Sequence, residues 1–162
     1  NGYRQIAALE ERFRDIPVDA VYSSDLFRTK TTAGAIYRPK GLALQTRADL
    51  RELSMGVWED HTWGAVAHFQ PEHYLRYSTC DPGWKNEGGE SRQEGRRRIR
   101  AAILDIAARH PGEQVTFDTG AFSRLSSVSG ASQACPTKYF ENCSGSLSPT
   151  GNGLTFFGIS IF

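Results

Sequence analysis

The apolar run from Val18 to Tyr22 ends in Ser23-Ser24-Asp25 and passes at Leu26 directly into a helical pattern that lasts to Tyr37. This strand-then-helix order constrains the fold more than any other feature of the chain. A strand followed by a helix can rejoin its sheet only by a crossover, which leaves neighbouring strands parallel. The order recurs along the chain. Ile6, Leu9 and Phe13 form a helical stripe between Tyr3 and Arg14, Leu42 to Leu44 reads as a short strand, and the segment from His61 to Tyr77 reads as helix interrupted at Pro71. Gln114 to Asp118 reads as a strand, Ser123 to Gly130 as a short helix, and Leu154 to Ile161 as a last strand. The pattern predicts an α/β fold of three layers, α/β/α, around a mainly parallel sheet with helices on both faces. No internal repeat or long linker divides the 162 residues, so a single domain is expected over 1–162.

The strongest helix signal begins at Ser91. Ser91 and Glu94 have the Ser-x-x-Glu spacing of a capping box, and Ile99, Ala102, Ile103 and Ile106 give one apolar face up to His110-Pro111-Gly112. The loop before it, from Cys80 to Gly89, carries Pro82 and three glycines.

The first strand-to-helix turn has the makings of an anion site. Ser24 or Asp25 can cap the helix, and Arg28 falls in its first turn, where unpaired N–H groups and the helix dipole already favour negative charge. In an open parallel sheet, ligands gather beyond the carboxyl ends of the strands. That is where Ser23, Ser24 and Arg28 fall, and where Asp118 to Ala121 fall after a later strand.

Three stretches, in order, carry a resemblance: Ser23-Ser24-Asp25-Leu26-Phe27-Arg28 with Thr32-Ala33, then Leu50-Arg51-Glu52-Leu53-Ser54-Met55-Gly56-Val57-Trp58-Glu59, then Gly88-Gly89-Glu90-Ser91. Together they resemble the histidine phosphatase superfamily, whose fold is phosphoglycerate-mutase-like. The tail from Phe140 to Ser144, with Gly151-Asn152-Gly153-Leu154 before the last strand, is similar to that family's closing hairpin. Two departures stand out. The family's Arg-His-Gly nucleophile motif is not in the chain, and Asn1 to Leu9 looks like the helix that follows it, so the expectation is a domain lacking its first strand. Where the family has Ser-His-Gly, this chain has Asp118-Thr119-Gly120, with Thr119 in the place of the second histidine.

The resemblance implies phosphoryl transfer through a phosphohistidine, on a small phosphorylated metabolite and without a cofactor or metal. Under it, Glu52 and Arg28 are the catalytic residues: Arg28 binds phosphate oxygens with its planar fork, and Glu52, shielded beside a phosphate, has a raised pKa and protonates the leaving group. Ser23, Ser24, Ser91, Thr119 and Gly120 would line the phosphate, although the capping box already accounts for Ser91. A threonine at position 119 offers only a neutral donor, and losing one preorganised donor costs on the order of 10²–10³ in rate. Asp118 would repel a phosphate. The short distance from Glu52 to Gly88 favours a phosphatase over the longer phosphoglycerate-type mutases. A mutase and a catalytically silent binder of phosphate esters remain the alternatives, and the family leaves room for a homodimer.

Other features carry less. With 19 basic against 18 acidic residues the formal net charge is +1, which gives no reason to expect nucleic acid or an anionic membrane as partner. Arg96-Arg97-Arg98 with Arg100 reads as a solvated helix face. His61, His68, His73 and His110 lie outside the motif positions and read as exposed or satisfied side chains. The three cysteines, Cys80, Cys135 and Cys143, lack metal or redox spacing and read as reduced, which with the lack of a signal-peptide pattern suits a cytoplasmic protein.

Overall fold

A computed structural model of the protein describes residues 2–81 and 83–118 and the backbone of 144–147 and 154–159. The described elements are α1 (Gly2–Phe13), β1 (Ala20–Ser23), α2 (Phe27–Tyr37), β2 (Leu44–Thr46), α3 (Trp63–Phe69), α4 (Pro71–Ser78), α5 (Arg92–Arg109), β3 (Gln114–Asp118), β4 (Ser144–Leu147) and β5 (Leu154–Ile159). Two single turns of 3₁₀ helix, Ala48–Leu50 and Gly56–Trp58, shape the segment between β2 and α3.

The strands lie in the order β2-β1-β3-β5-β4. β1 is parallel to both β2 and β3, β3 is parallel to β5, and β4 closes the sheet antiparallel to β5. The expected α/β fold and closing hairpin are therefore present. The early strand lies at Leu44–Thr46 and not at Leu42–Leu44, because its register with β1 pairs Val21 with Leu44 and Ser23 with Thr46. Leu42 and Leu44 instead pack against the cluster under α1 and α2. The expected helix at 123–130 lies outside the described residues.

β1 shows why the sheet needs two helical layers. Successive strand side chains point to opposite faces. Ala20 and Tyr22 join Leu50, Val115, Phe117 and the apolar face of α5, whereas Val21 joins Leu9, Phe13, Ala33 and Ile36 of α1 and α2. The capping box at the start of α5 forms as its spacing predicts, with Ser91 Oγ accepting from Glu94 N–H at 3.2 Å and Glu94 Oε2 accepting from Ser91 N–H at 2.8 Å. The interruption expected at Pro71 is present, with α3 capped by Thr62 and α4 beginning at the proline. At the far end of α5, His110 Nε2 lies 2.8 Å from the Tyr22 hydroxyl and Nδ1 lies 2.6 Å from Glu113 Oε2, so this histidine is satisfied structurally.

Two loops meet backbone to backbone. Gly56 has φ +57°, and a Cβ there would stand 2.0 Å from the Glu87 carbonyl oxygen and 2.4 Å from Gly89 N. The contact is held by Val57 N–H to Glu87 O at 3.0 Å, Glu90 N–H to Ser54 O at 2.9 Å and Asn86 Nδ2 to Met55 O at 2.8 Å. Gly41 has a similar φ, +65°, with nothing within 4 Å of its would-be Cβ. Gly41→Ala therefore measures backbone strain alone, about 1 kcal/mol, whereas Gly56→Ala adds a backbone collision and is expected to cost more than about 2 kcal/mol. Denaturant midpoints of the two variants check the difference, and equal losses would show that the two loops do not dock this closely.

Candidate functional site

The turn after β1 is built from hydrogen bonds that leave little slack. Ser24 N–H donates to the Asp118 carbonyl at 3.0 Å, and the Ser23 carbonyl accepts from Arg47 N–H at 2.9 Å, so neighbouring strands hold both ends of the turn. Ser23 and Ser24 are fully buried, with the Ser23 hydroxyl donating to the Ser24 carbonyl at 2.7 Å and the Ser24 hydroxyl 2.8 Å from Thr29 Oγ1. Both hydroxyls are thus committed inside the turn and do not face solvent. The expectation that Ser24 or Asp25 caps α2 is not met: the N-cap is Leu26, without a side-chain cap. Ser24 spends its hydroxyl on Thr29, and Asp25 points out to Arg51, accepting from Nε and Nη2 at 2.6 Å each. That fork draws the Asp25 carboxyl below its ordinary value and joins the turn to the segment that carries Glu52.

Arg28 and Glu52 meet across these two segments. Arg28 Nη2 lies 3.3 Å from Glu52 Oε2, and the side chains are 49% and 37% exposed. The lengths separate the roles of the two neighbouring arginines. Arg51 is locked in a bidentate pair, while Arg28 makes one long contact and keeps donors turned to water at the carboxyl end of β1. Glu52 has its pKa raised; burial is the larger cause, and the Arg28 charge opposes it.

The segment around Glu52 has little regular structure of its own and is held from outside. Leu50, Leu53 and Trp58 are its buried anchors, and Trp58 donates from Nε1 to Gln70 Oε1 at 2.9 Å among Tyr74, Tyr77 and Trp84. Arg98 reaches it from α5. Its guanidinium donates to the carbonyls of Asp49 and Arg51 at 2.8 Å each and of Glu52 at 3.3 Å, and it forks onto Glu90. Here the reading of the basic run needs correcting. Arg96, Arg97 and Arg100 are exposed as a solvated face should be, but Arg98 is turned inward onto the loop. The signal was its spacing: Arg98 lies three residues after the buried Gly95 and four before the buried Ala102, on the same face.

Ser91 sits where the capping box puts it, and Glu94 is pulled down to about 2, first by the Ser91 N–H. Asp118 ends β3 opposite Ser23 in register and is 3% exposed. Thr119 and Gly120 lie outside the described residues. His61 contacts the Glu59 carbonyl, His68 the ring of Phe69, and His73 the rings of Trp58 and Trp84. Among the described residues no group of three or more histidine, cysteine, aspartate or glutamate side chains could hold a metal, and no helix is long and apolar enough to cross a membrane. Cys80 is disulfide-bonded, which corrects the expectation of three reduced thiols.

The described residues form an α/β domain whose mainly parallel sheet carries the Arg28–Glu52 pair at its carboxyl edge. The histidine phosphatase superfamily (branch 1) matches residues 1–125. The chain belongs to this superfamily. It is 33% identical over 102 residues to a probable phosphoglycerate mutase of Yersinia pestis (strain Pestoides F), covering 63% of this chain and 47% of that protein. It also resembles the structure of a mycobacterial glucosyl-3-phosphoglycerate phosphatase with inorganic phosphate, at 29% identity and TM-score 0.60 over 68% of this chain and 52% of the other. The alpha-ribazole phosphatase from Shigella flexneri shares the fold at 21% identity and TM-score 0.62, over 70% of this chain and 56% of that one. The chain therefore spans about half the length of these relatives.

The raised Glu52 pKa has a consequence for stability. A carboxyl whose proton is held more tightly in the folded state contributes most below its ordinary unfolded value, and loses that contribution as pH rises through the folded value. Glu52→Gln removes the loss. The variant should therefore gain stability relative to the parent as pH goes from about 4 to about 7, read from paired denaturant melts. A flat difference would mean that Glu52 is solvated as in the unfolded chain, and the opposite slope that the Arg28 charge outweighs burial.

Proposed function

We propose that the protein of which this chain is part is a phosphomonoesterase that works through a phosphohistidine on a small phosphorylated metabolite. The observation that carries the reading is the pairing of Arg28, loosely held at the carboxyl end of β1, with Glu52, whose carboxyl is raised by burial. In this reading Arg28 binds two oxygens of the phosphoryl group and gives up its single long contact with Glu52 as substrate enters. Glu52, protonated, gives its proton to the departing alcohol oxygen as the bond from that oxygen to phosphorus breaks. The nucleophile is the imidazole that the resemblance puts ahead of α1. It forms the bond to phosphorus, and water then breaks it to release inorganic phosphate. The buried Ser23 and Ser24 hold the turn that aims Arg28, and the resemblance adds Thr119 and Gly120 as phosphate-binding residues.

The membership of the superfamily and the likeness to a phosphatase at 29% identity support a phosphatase, while the mutase relative at 33% supports the same first half-reaction with a second alcohol as acceptor. One feature favours a different reading. Thr119 stands where a charged donor is expected, so a relative that binds phosphate esters without turning them over is the second reading.

In the encoded protein, including whatever precedes Asn1, an aryl phosphate should be hydrolysed with an acid-labile phosphoenzyme trapped on quenching. Inorganic phosphate as product supports the phosphatase, and transfer to a second alcohol supports the mutase. Saturable binding with no phosphoenzyme and no product supports the silent binder. Arg28→Ala should weaken binding of phosphate or vanadate by at least about tenfold, the worth of a charge-assisted bidentate contact. Unchanged affinity would put the phosphate elsewhere.

A further inference from the structure

We infer that Arg98 is a positioning residue for Glu52, setting through the peptide chain the place at which the Glu52 carboxyl meets Arg28. The inference rests on the reading of Glu52 as proton donor, and it extends that reading to a residue that touches neither phosphate nor leaving group.

The hydrogen-bond count is the argument. A guanidinium has five N–H donors in a rigid plane and no acceptor. All five are matched here: Nε and Nη2 donate to the Glu90 carboxylate at 2.9 and 2.5 Å, Nη1 to the Asp49 and Arg51 carbonyls at 2.8 Å each, and Nη2 again to the Glu52 carbonyl at 3.3 Å. Three carbonyls within four residues thus converge on one cation, in a stretch where residues 51–55 belong to neither helix nor strand. A lysine, with one nitrogen and three protons, has too few donors to serve the three carbonyls and both Glu90 oxygens together. The anchor is firm. Glu90 directly precedes the capping box, and the pair is shielded, with side chains 25% and 18% exposed. The helix must also come close. A Cβ on Gly95 would stand 2.7 Å from Leu53 Cδ1 and 3.3 Å from Glu90 Oε2.

Among the described residues, charged or titratable groups reach Glu52 from three helices. Arg28 comes from α2 and Tyr77 from α4, whose hydroxyl feels the Glu52 charge, while Arg98 holds the peptide from α5. Beside it, a groove of about 350 Å³ carries Arg51, Lys85, Glu90 and Glu94. Arg51 and Lys85 already have carboxylate partners there, Asp25 and Glu94. Releasing the carbonyls would let the segment swing toward water, and the burial that raises the Glu52 pKa would fall.

The test uses Arg98→Lys and Arg98→Ala, with Glu90→Gln as a third variant should Arg98→Ala fail to fold. Two quantities are read: the pH titration of the Glu52 carboxyl by carbon NMR, assigned against Glu52→Gln, and the pH profile of aryl phosphate hydrolysis in the encoded protein. In folded Arg98→Lys and Arg98→Ala, Glu52 should titrate at lower pH than in the parent, and the alkaline limb of kcat should move the same way. A displaced catalytic group should lower kcat by more than about tenfold while KM changes by less than about threefold. Lysine keeps the charge beside Glu90, so its failure to restore the titration separates the carbonyl cradle from a simple ion pair. An unchanged Glu52 titration in a folded Arg98 variant, or full restoration by lysine, overturns the inference. The NMR arm does not depend on turnover. If no ester is hydrolysed, the proposed function falls while the positioning role is still decided by the titration.

Discussion

Everything in this domain is referred to β1, a strand of four residues with no side chain exposed to water. Because strand side chains alternate, Ala20 and Tyr22 need one apolar layer and Val21 needs another. The sheet can satisfy both only with α5 on one face and α1 with α2 on the other. Burial on both faces also fixes register, since a slip of one residue would exchange the two sets. The carboxyl end of β1 is therefore held firmly, and the turn that follows inherits that precision. Asp118 in β3 and Arg47 after β2 bond the turn from either side, so Arg28 leaves the sheet in a defined direction.

The second half of the site is organised by different means. Between Leu50 and Gly89 the chain has no strand, and its shape depends on loop-to-loop contacts and on a few polar nodes. Backbone docking at Gly56 and Gly89 joins the Glu52 segment to the loop ahead of α5. Arg98 then collects the carbonyls that this irregular path leaves unpaired, and Asp25 with Arg51 ties the result back to the turn after β1. Backbone acceptors outside a ladder need other donors, and here a side chain supplies what a neighbouring strand would have supplied. Such a construction places a carboxyl near an arginine without pairing them tightly. A tight bidentate pair would keep Glu52 ionised and Arg28 occupied, which is the state of Asp25 and Arg51. The single 3.3 Å contact is a much looser pairing.

Much of this was legible in the chain. Apolar spacing marked α1, α2, α5, β1 and β3, and Ser91 with Glu94 marked the start of α5 to the residue, because these signals are local and repeat with a known period. The three motif stretches placed Arg28 and Glu52 on one site, which the structure brings within 3.3 Å. The misreadings share a cause. Asp25 reads as a cap and Arg98 as part of a solvated run, and in each case the partner lies in another segment: Arg51 holds the Asp25 carboxylate, and Glu90 with the loop carbonyls holds Arg98. The position of β2 shifted for the same reason, since its register is set by β1 and not by its own residues.

The amino-acid sequence by itself determined the layered α/β class, the order of its elements and the identity of the groups at the carboxyl edge, because periodicity, capping and residue chemistry act over a few neighbouring positions. Only the tertiary structure decided which of several arginines is free and which is spent. Arg28, Arg51 and Arg98 are chemically equal as letters. Whether each guanidinium meets one long contact, a carboxylate fork or a ring of carbonyls depends on chains that fold in from tens of residues away.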